Sequence, residues 1–184
     1  MSRSALLVLD IQNMVLAGYP DPEYLPRLGA AIGAARAAGH PVIYAVVGFR
    51  PDYAEVSTRN KMFGRLALAK PQAPPEAAAI PAEVAPQHGD IVVTKRRVSA
   101  FAGSDLDLVL RAGEIDHLVL TGVATSGVVL STLREAADRD FRLSVLADGC
   151  LDNDPEVHRV LTEKVFPAQA EVTTIARWIA EPST

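Results

Sequence analysis

The sequence predicts an α/β protein: a six-stranded, mostly parallel sheet covered by helices on both faces, a three-layer αβα arrangement of Rossmann-like kind. Three observations predict it. Apolar, β-branched or leucine-rich runs recur without polar alternation, as in strands covered on both faces. Segments with helical periodicity stand between them, and strand and helix alternate to the end of the chain. That order implies βαβ units with right-handed crossovers, whose small-molecule sites form at the carboxyl ends of the strands.

The first strand is expected over 5–9 in A-L-L-V-L, closed by Asp10, and a helical pattern follows over 23–38. The second, 41–47, reads P-V-I-Y-A-V-V and leads into a polar and aromatic segment, G-F-R-P-D-Y-A-E-V-S-T-R-N-K-M-F. Residues 70–89 carry prolines at 71, 74, 75, 81 and 86 and read as an extended connector within one domain spanning 1–184. The third strand, 90–94, ends at Lys95, and a helix is expected over 106–112. Strand four, 117–121, runs through a Gly-Val-Ala-Thr turn into a helix over 126–139. Strand five covers 142–147, a helix follows over 155–165, and a weaker sixth strand at 170–172 leads to a last helix over 174–180.

Composition excludes several classes of function. The chain has 184 residues, a net charge of −4 and no run or one-sided stripe of Lys and Arg, so it offers no electrostatic footprint for nucleic acid. No apolar run approaches the roughly 18 residues that a spanning helix needs, and the N-terminal run is too short for a signal peptide, so no membrane partner and a cytoplasmic location are expected. Cys150 is the single cysteine, which rules out an internal disulfide and a cysteine-based zinc site. The four histidines are scattered and no two have ligand spacing, so neither a metal nor another cofactor is expected.

The strand ends collect the residues that could carry chemistry. Asp10 closes L-V-L-D-I-Q-N, where apolar neighbours would raise a carboxyl toward acid/base use, although a strand-end carboxylate can also simply cap a turn. Lys95 ends the third strand in V-V-T-K-R-R-V-S-A-F, where its ammonium could pair with Asp10 or stabilise an oxyanion. Phe101 would line the site or pack in the core. The Gly122 to Gly127 turn lacks the Lys and Ser/Thr of a phosphate loop, and no G-x-G-x-x-G follows any strand, so nucleotide binding is disfavoured. What remains is a helix N-terminus presenting backbone N–H groups as an oxyanion site. Arg50, Arg59, Asn60 and Lys61 gather after strand two, which fits recognition of a carboxylate or a solvent-facing or subunit-facing loop.

These residues resemble the isochorismatase-like hydrolases of the cysteine hydrolase superfamily. The resemblance spans nearly the whole chain: L-L-V-L-D-I-Q-N, V-V-T-K-R-R-V-S-A-F and T-G-V-A-T-S-G-V-V stand in the order of the family's three motifs. It implies acid/base roles for Asp10 and Lys95, a cis peptide at Val123–Ala124 shaping an oxyanion hole with Thr125 and Gly127, a place for Gln12 among the substrate-binding residues, and a homo-oligomer, dimer or tetramer. Cysteine members carry their nucleophile three residues after the threonine, where this chain has Val128. The resemblance therefore implies a small-molecule hydrolase working by non-covalent acid/base catalysis, and the cations after strand two suggest a small, anionic substrate. Two alternatives stand beside it: a binding or scaffolding protein that has kept the pocket, and a cysteine hydrolase using Cys150.

Overall fold

The computed structural model describes residues 3–180. Its sheet has six strands, β1 (Ser4–Leu9), β2 (Val42–Val47), β3 (Ile91–Lys95), β4 (His117–Val123), β5 (Arg142–Leu151) and β6 (Glu171–Thr173), in the order β3-β2-β1-β4-β5-β6. Every pairing is parallel, so the sheet is wholly parallel where the sequence predicted mostly parallel. The eight α-helices are α1 (Asn13–Leu16), α2 (Tyr24–Ala37), α3 (Gly64–Ala69), α4 (Pro75–Ala78), α5 (Leu106–Ala112), α6 (Leu130–Ala137), α7 (Pro155–Val160) and α8 (Ile175–Ala180).

The continuous apolar strands explain the two helical layers. Successive side chains of a strand face opposite sides of the sheet. Leu6 and Val8 of β1 accordingly join the core with Leu28 and Ile32 of α2 and Trp178 of α8. Leu7 and Leu9 join the opposite core with Leu106 and Leu110 of α5 and Leu133 of α6. All six residues of β1 are buried, as a central strand requires.

The chain steps outward from β1 to β2 and β3, then crosses back to lay β4 on the other side of β1. The strand order therefore reverses between β1 and β4, where parallel α/β sheets open a crevice at their carboxyl edge. Leu9 pairs with Gly122 there, so Asp10 and the turn after β4 leave the sheet side by side. Gly122 has φ +148, and a Cβ on it would lie 2.5 Å from the Leu9 carbonyl oxygen, which is why only glycine fits.

Several elements depart from the sequence expectation: α1, α3 and α4 form where no helix is expected, α4 within the connector read as extended. Strand five is expected over 142–147, yet β5 continues to Leu151. The register shifts between Leu120 and Gly122, so that the extra residues of β5 form a bulge and pairing resumes at Gly122 with Cys150. The helix expected over 126–139 begins as a wide π-helical turn, Thr125–Val129, before α6 proper. The helix expected over 155–165 starts well, with Asp154 capping the Glu156 and Val157 amides and Pro155 at the first position, then widens over Leu161–Val165. The proline-rich connector is fastened to the sheet: the Tyr44 hydroxyl donates to the Val84 carbonyl at 2.8 Å, and Val84 is buried.

Candidate active site

Asp10 and Lys95 start two strands apart and meet. Asp10 follows β1 at its carboxyl end, in the left-handed region with φ +56, a conformation aspartate tolerates better than most residues. Lys95 ends β3, on the far side of β2, so its long stem, the Asp10 side chain and the hydrogen bond between them together bridge the roughly 9–10 Å of two strand spacings. Its Nζ lies 2.9 Å from Asp10 Oδ2 and also donates to the Arg97 carbonyl at 2.9 Å.

Both charges are almost sealed from water, Lys95 being 1% exposed and Asp10 8%. Burial raises the Asp10 carboxyl from 3.8 to about 6, although the charge and hydrogen bond of Lys95 work against the rise. Burial likewise lowers the Lys95 ammonium, opposed by Asp10. Asp10 Oδ1 is buried without a hydrogen-bond partner among the described residues. Such an orphaned acceptor costs free energy until a donor meets it, and a substrate or water N–H or O–H is the kind of group that would.

The turn after β4 carries the cis Val123–Ala124 peptide bond. Its amides are more heavily used than the sequence implies. Ser126 N donates to Asp152 Oδ2 at 2.7 Å, and Gly127 N and Val129 N share the Ala124 carbonyl at 3.1 and 3.3 Å. The helix N-terminus thus is not an open array of donors: a carboxylate from the end of β5 already sits on it. Thr125 is fully buried, its hydroxyl donating to the Leu151 carbonyl at 3.1 Å and meeting His158 Nδ1 at 2.8 Å. Val128, at the expected nucleophile position, is a core residue 2% exposed, in one apolar cluster with Leu9, Phe101 and Cys150.

The other sequence candidates divide. The Gln12 side chain serves the backbone: its Oε1 accepts from Val47 N at 2.8 Å and its Nε2 donates to the Val47 and Ala78 carbonyls at 3.2 and 3.0 Å. That pairing imitates a further strand residue and fixes the end of β2 beside Asp10. Phe101 packs in the core against Phe141 with the Arg139 guanidinium over its ring, the packing alternative stated for it. Asn60 Oδ1 accepts from the Met62 and Phe63 amides, holding its own loop in a turn, and Arg59 is exposed. Arg50 is also exposed but pairs with Glu55 across 3.6 Å.

Cys150 lies at the correct edge of the sheet, pairs with Gly122 and lines a cavity of about 470 Å³ together with His158 and Asp148. Burial pushes its thiol up to about 12, the opposite of an activated nucleophile. Sequence reading missed Asp152, His158 and Glu55, because each acts across a distance in the chain: Asp152 and His158 reach back 26 and 33 residues to the turn. The one local signal is the acidic D-N-D before α7, which stands just ahead of the expected helix over 155–165.

Among the described residues no group of three or more His, Cys, Asp or Glu is placed to hold a metal ion, and no helix is long and apolar enough to cross a membrane. Comparison with known proteins agrees with this geometry. The isochorismatase domain family matches residues 4–177. The chain is 34% identical to the isochorismatase family protein YecD of Escherichia coli O157:H7, over 94% of this chain and 92% of that one. It is 33% identical to the ureidoacrylate amidohydrolase RutB of Methylobacterium radiotolerans, over 96% of this chain and 75% of that protein. The solved structure of an isochorismatase family protein from Burkholderia thailandensis superposes with a TM-score of 0.85 at 31% identity, covering 98% and 96% of the two chains.

Proposed function

The chain belongs to the isochorismatase family of hydrolases, and from that premise we propose that it hydrolyses a small, anionic compound by non-covalent acid/base catalysis through Asp10 and Lys95. The observation that carries this reading is the buried pair itself, with Nζ and Oδ2 2.9 Å apart and a carboxyl raised to about 6. A carboxyl with that value is ionised at neutral pH yet basic enough to take a proton from attacking water, and it can return the proton to a leaving group. Lys95 stabilises the carboxylate and fixes its orientation, and its charge offsets negative charge developing nearby.

Val128 supports the non-covalent route over a thioester one, since a valine offers no nucleophile. The alternative nucleophile, Cys150, is opposed by its burial and by a thiol that stays protonated at neutral pH. Ureidoacrylate amidohydrolases among the relatives make small ureido and amide acids suitable members of a substrate panel, beside enol ethers.

The test is product formation across such a panel by wild type and Asp10→Asn, with folding of both checked by circular dichroism. Turnover that falls at least about a hundredfold in the variant is the expected result. Turnover that survives Asp10→Asn would refute the acid/base assignment.

A further inference from the structure

Beside the acid/base pair, at the end of β3, lies a cavity of about 370 Å³ lined by Arg50, Glu55, Arg96, Arg97, Ala102 and Gly103. Three guanidiniums therefore face one carboxylate, in a chain whose net charge is −4. Glu55 Oε1 accepts from Arg50 N at 2.9 Å and lies 3.6 Å from Arg50 Nη1 and 3.5 Å from Arg96 Nε. Burial pushes the Glu55 carboxyl up, but the Arg50 amide and the two guanidiniums outweigh it, so Glu55 stays ionised and its charge is shared.

Arg97 has no carboxylate within 4 Å among the described residues; its Nη1 and Nη2 donate to the carbonyls of Arg96 and Glu55 at 2.6 and 2.5 Å. Those bonds orient the guanidinium without neutralising it. Arg96 is held as firmly, through Nη1 to the Gly48 carbonyl at 2.6 Å. Its stem lies over Gly103, where φ is +79 and a Cβ would come within 2.8 Å of Arg96 Cβ and Cγ. Two oriented arginines and the 64% exposed Arg50 side chain, paired with Glu55 across 3.6 Å, make a fork set suited to an oxyanion.

We infer that the Arg50–Arg96–Arg97 pocket binds a small oxyanion, a carboxylate or phosphate group. The pocket is joined to the catalytic pair, because the Arg97 carbonyl is the second acceptor of Lys95 Nζ. The oxyanion has two sources: the acid group of the substrate itself, in which case the inference rests on the hydrolase reading above, or a free inorganic anion that acts on Lys95 through Arg97.

Binding is tested without turnover, by calorimetric titration of wild type, Arg50→Gln and Arg97→Lys with inorganic phosphate, acetate and malonate at constant ionic strength, KCl serving as the screening control. Saturable binding of at least one of the three, weakened roughly tenfold or more in both variants, is expected; Arg97→Lys keeps the charge and loses the fork. No saturable binding in wild type, or binding indifferent to both substitutions, overturns the inference. Because Arg50 is exposed, Arg50→Gln should fold as wild type does, which its urea transition checks. A KM raised by Arg50→Gln for acid substrates, and not for their uncharged amide counterparts, assigns the pocket to the substrate's own acid group. Phosphate that changes kcat without competing with substrate assigns it to a free anion. Asp10→Asn should abolish turnover and leave phosphate binding intact, so failure of the hydrolase reading and failure of this one are told apart.

Discussion

Titrating stability against pH isolates the energetic cost of the Asp10 carboxylate. Burial raises this carboxyl from 3.8 to about 6 even with Lys95 at 2.9 Å. A gap of that size corresponds to about 3 kcal/mol. The folded-state value is the higher one, so the folded protein binds the proton more tightly than the unfolded chain does. This group's contribution to stability therefore grows as pH falls through 6 toward 4, and it is least favourable above 6. Asp10→Asn keeps the shape and cannot titrate. Urea unfolding of both proteins at intervals from pH 4 to 7 gives two stability curves, and carboxylates common to both cancel in their difference. Wild type should gain about 2 kcal/mol relative to the variant on going from pH 7 to pH 4, the remainder of the ~3 kcal/mol appearing only below the unfolded-state value of 3.8. A flat difference, or one in which wild type loses ground as the solution is acidified, would refute the claim that desolvation outweighs Lys95.

The same titration should appear in catalysis: kcat/KM for any turned-over substrate is expected to rise with pH through about 6 as Asp10 ionises, and a profile without that acid limb would remove Asp10 as the base. Lys95→Met leaves Asp10 buried beside no cation and should cost about 3–5 kcal/mol in urea unfolding. Combined with Asp10→Asn it should cost less than the sum of the two single losses, and simple additivity would mean the groups do not interact. Cys150→Ala should leave turnover within about twofold, since a thiol held protonated contributes no nucleophile. Native protein should also resist iodoacetamide until unfolded, and rapid alkylation of Cys150 would show the thiol to be accessible. Gly122→Ala should destabilise by roughly 2 kcal/mol or more, read from the urea midpoint, because its Cβ would meet the Leu9 backbone at 2.5 Å.

The strands were legible because burial on both faces leaves a local trace: L-L-V-L at β1 has no polar partner in alternation and cannot sit on a surface. Asp10 and Lys95 were legible for a related reason, as charges that end such runs must lie at the sheet's rim. The end of β5 was not, since the apolar run stops at Ala147, and only pairing with β4, some thirty residues earlier, carries the strand on through a bulge. The same limit hid Gln12, whose amide looks free in sequence and is spent on the backbone of Val47 and Ala78. It hid Asp152 as well, which occupies Ser126 N at the helix start that the sequence offers as an open oxyanion site. Composition of the segment after β2 pointed to anion recognition at Arg50 with Arg59 and Asn60. Folding instead gathers Arg50 with Arg96 and Arg97, because Glu55 draws them together while Asn60 turns back on its own loop.

Whether burying Asp10 and Lys95 together serves the fold is an energetic question. Two charges at 1% and 8% exposure lose most of their hydration, and their mutual attraction repays that loss only in part, as the raised Asp10 carboxyl records. Apolar residues of similar volume would serve the fold at least as well, since β1 and β3 are otherwise built from them. The orphaned Asp10 Oδ1 makes the arrangement more costly still, and nothing in the packing of the strands requires it. Glu55 Oε2 is likewise buried without a partner among the described residues, so the missing hydrogen bond alone does not single out catalysis; at Asp10 it coincides with a carboxyl raised to about 6 and a lysine 2.9 Å away, the combination on which the proposed acid/base role rests. Under the proposed acid/base mechanism the missing donor is the substrate or water whose proton is to be moved, and loss of turnover in Asp10→Asn is the result that mechanism requires.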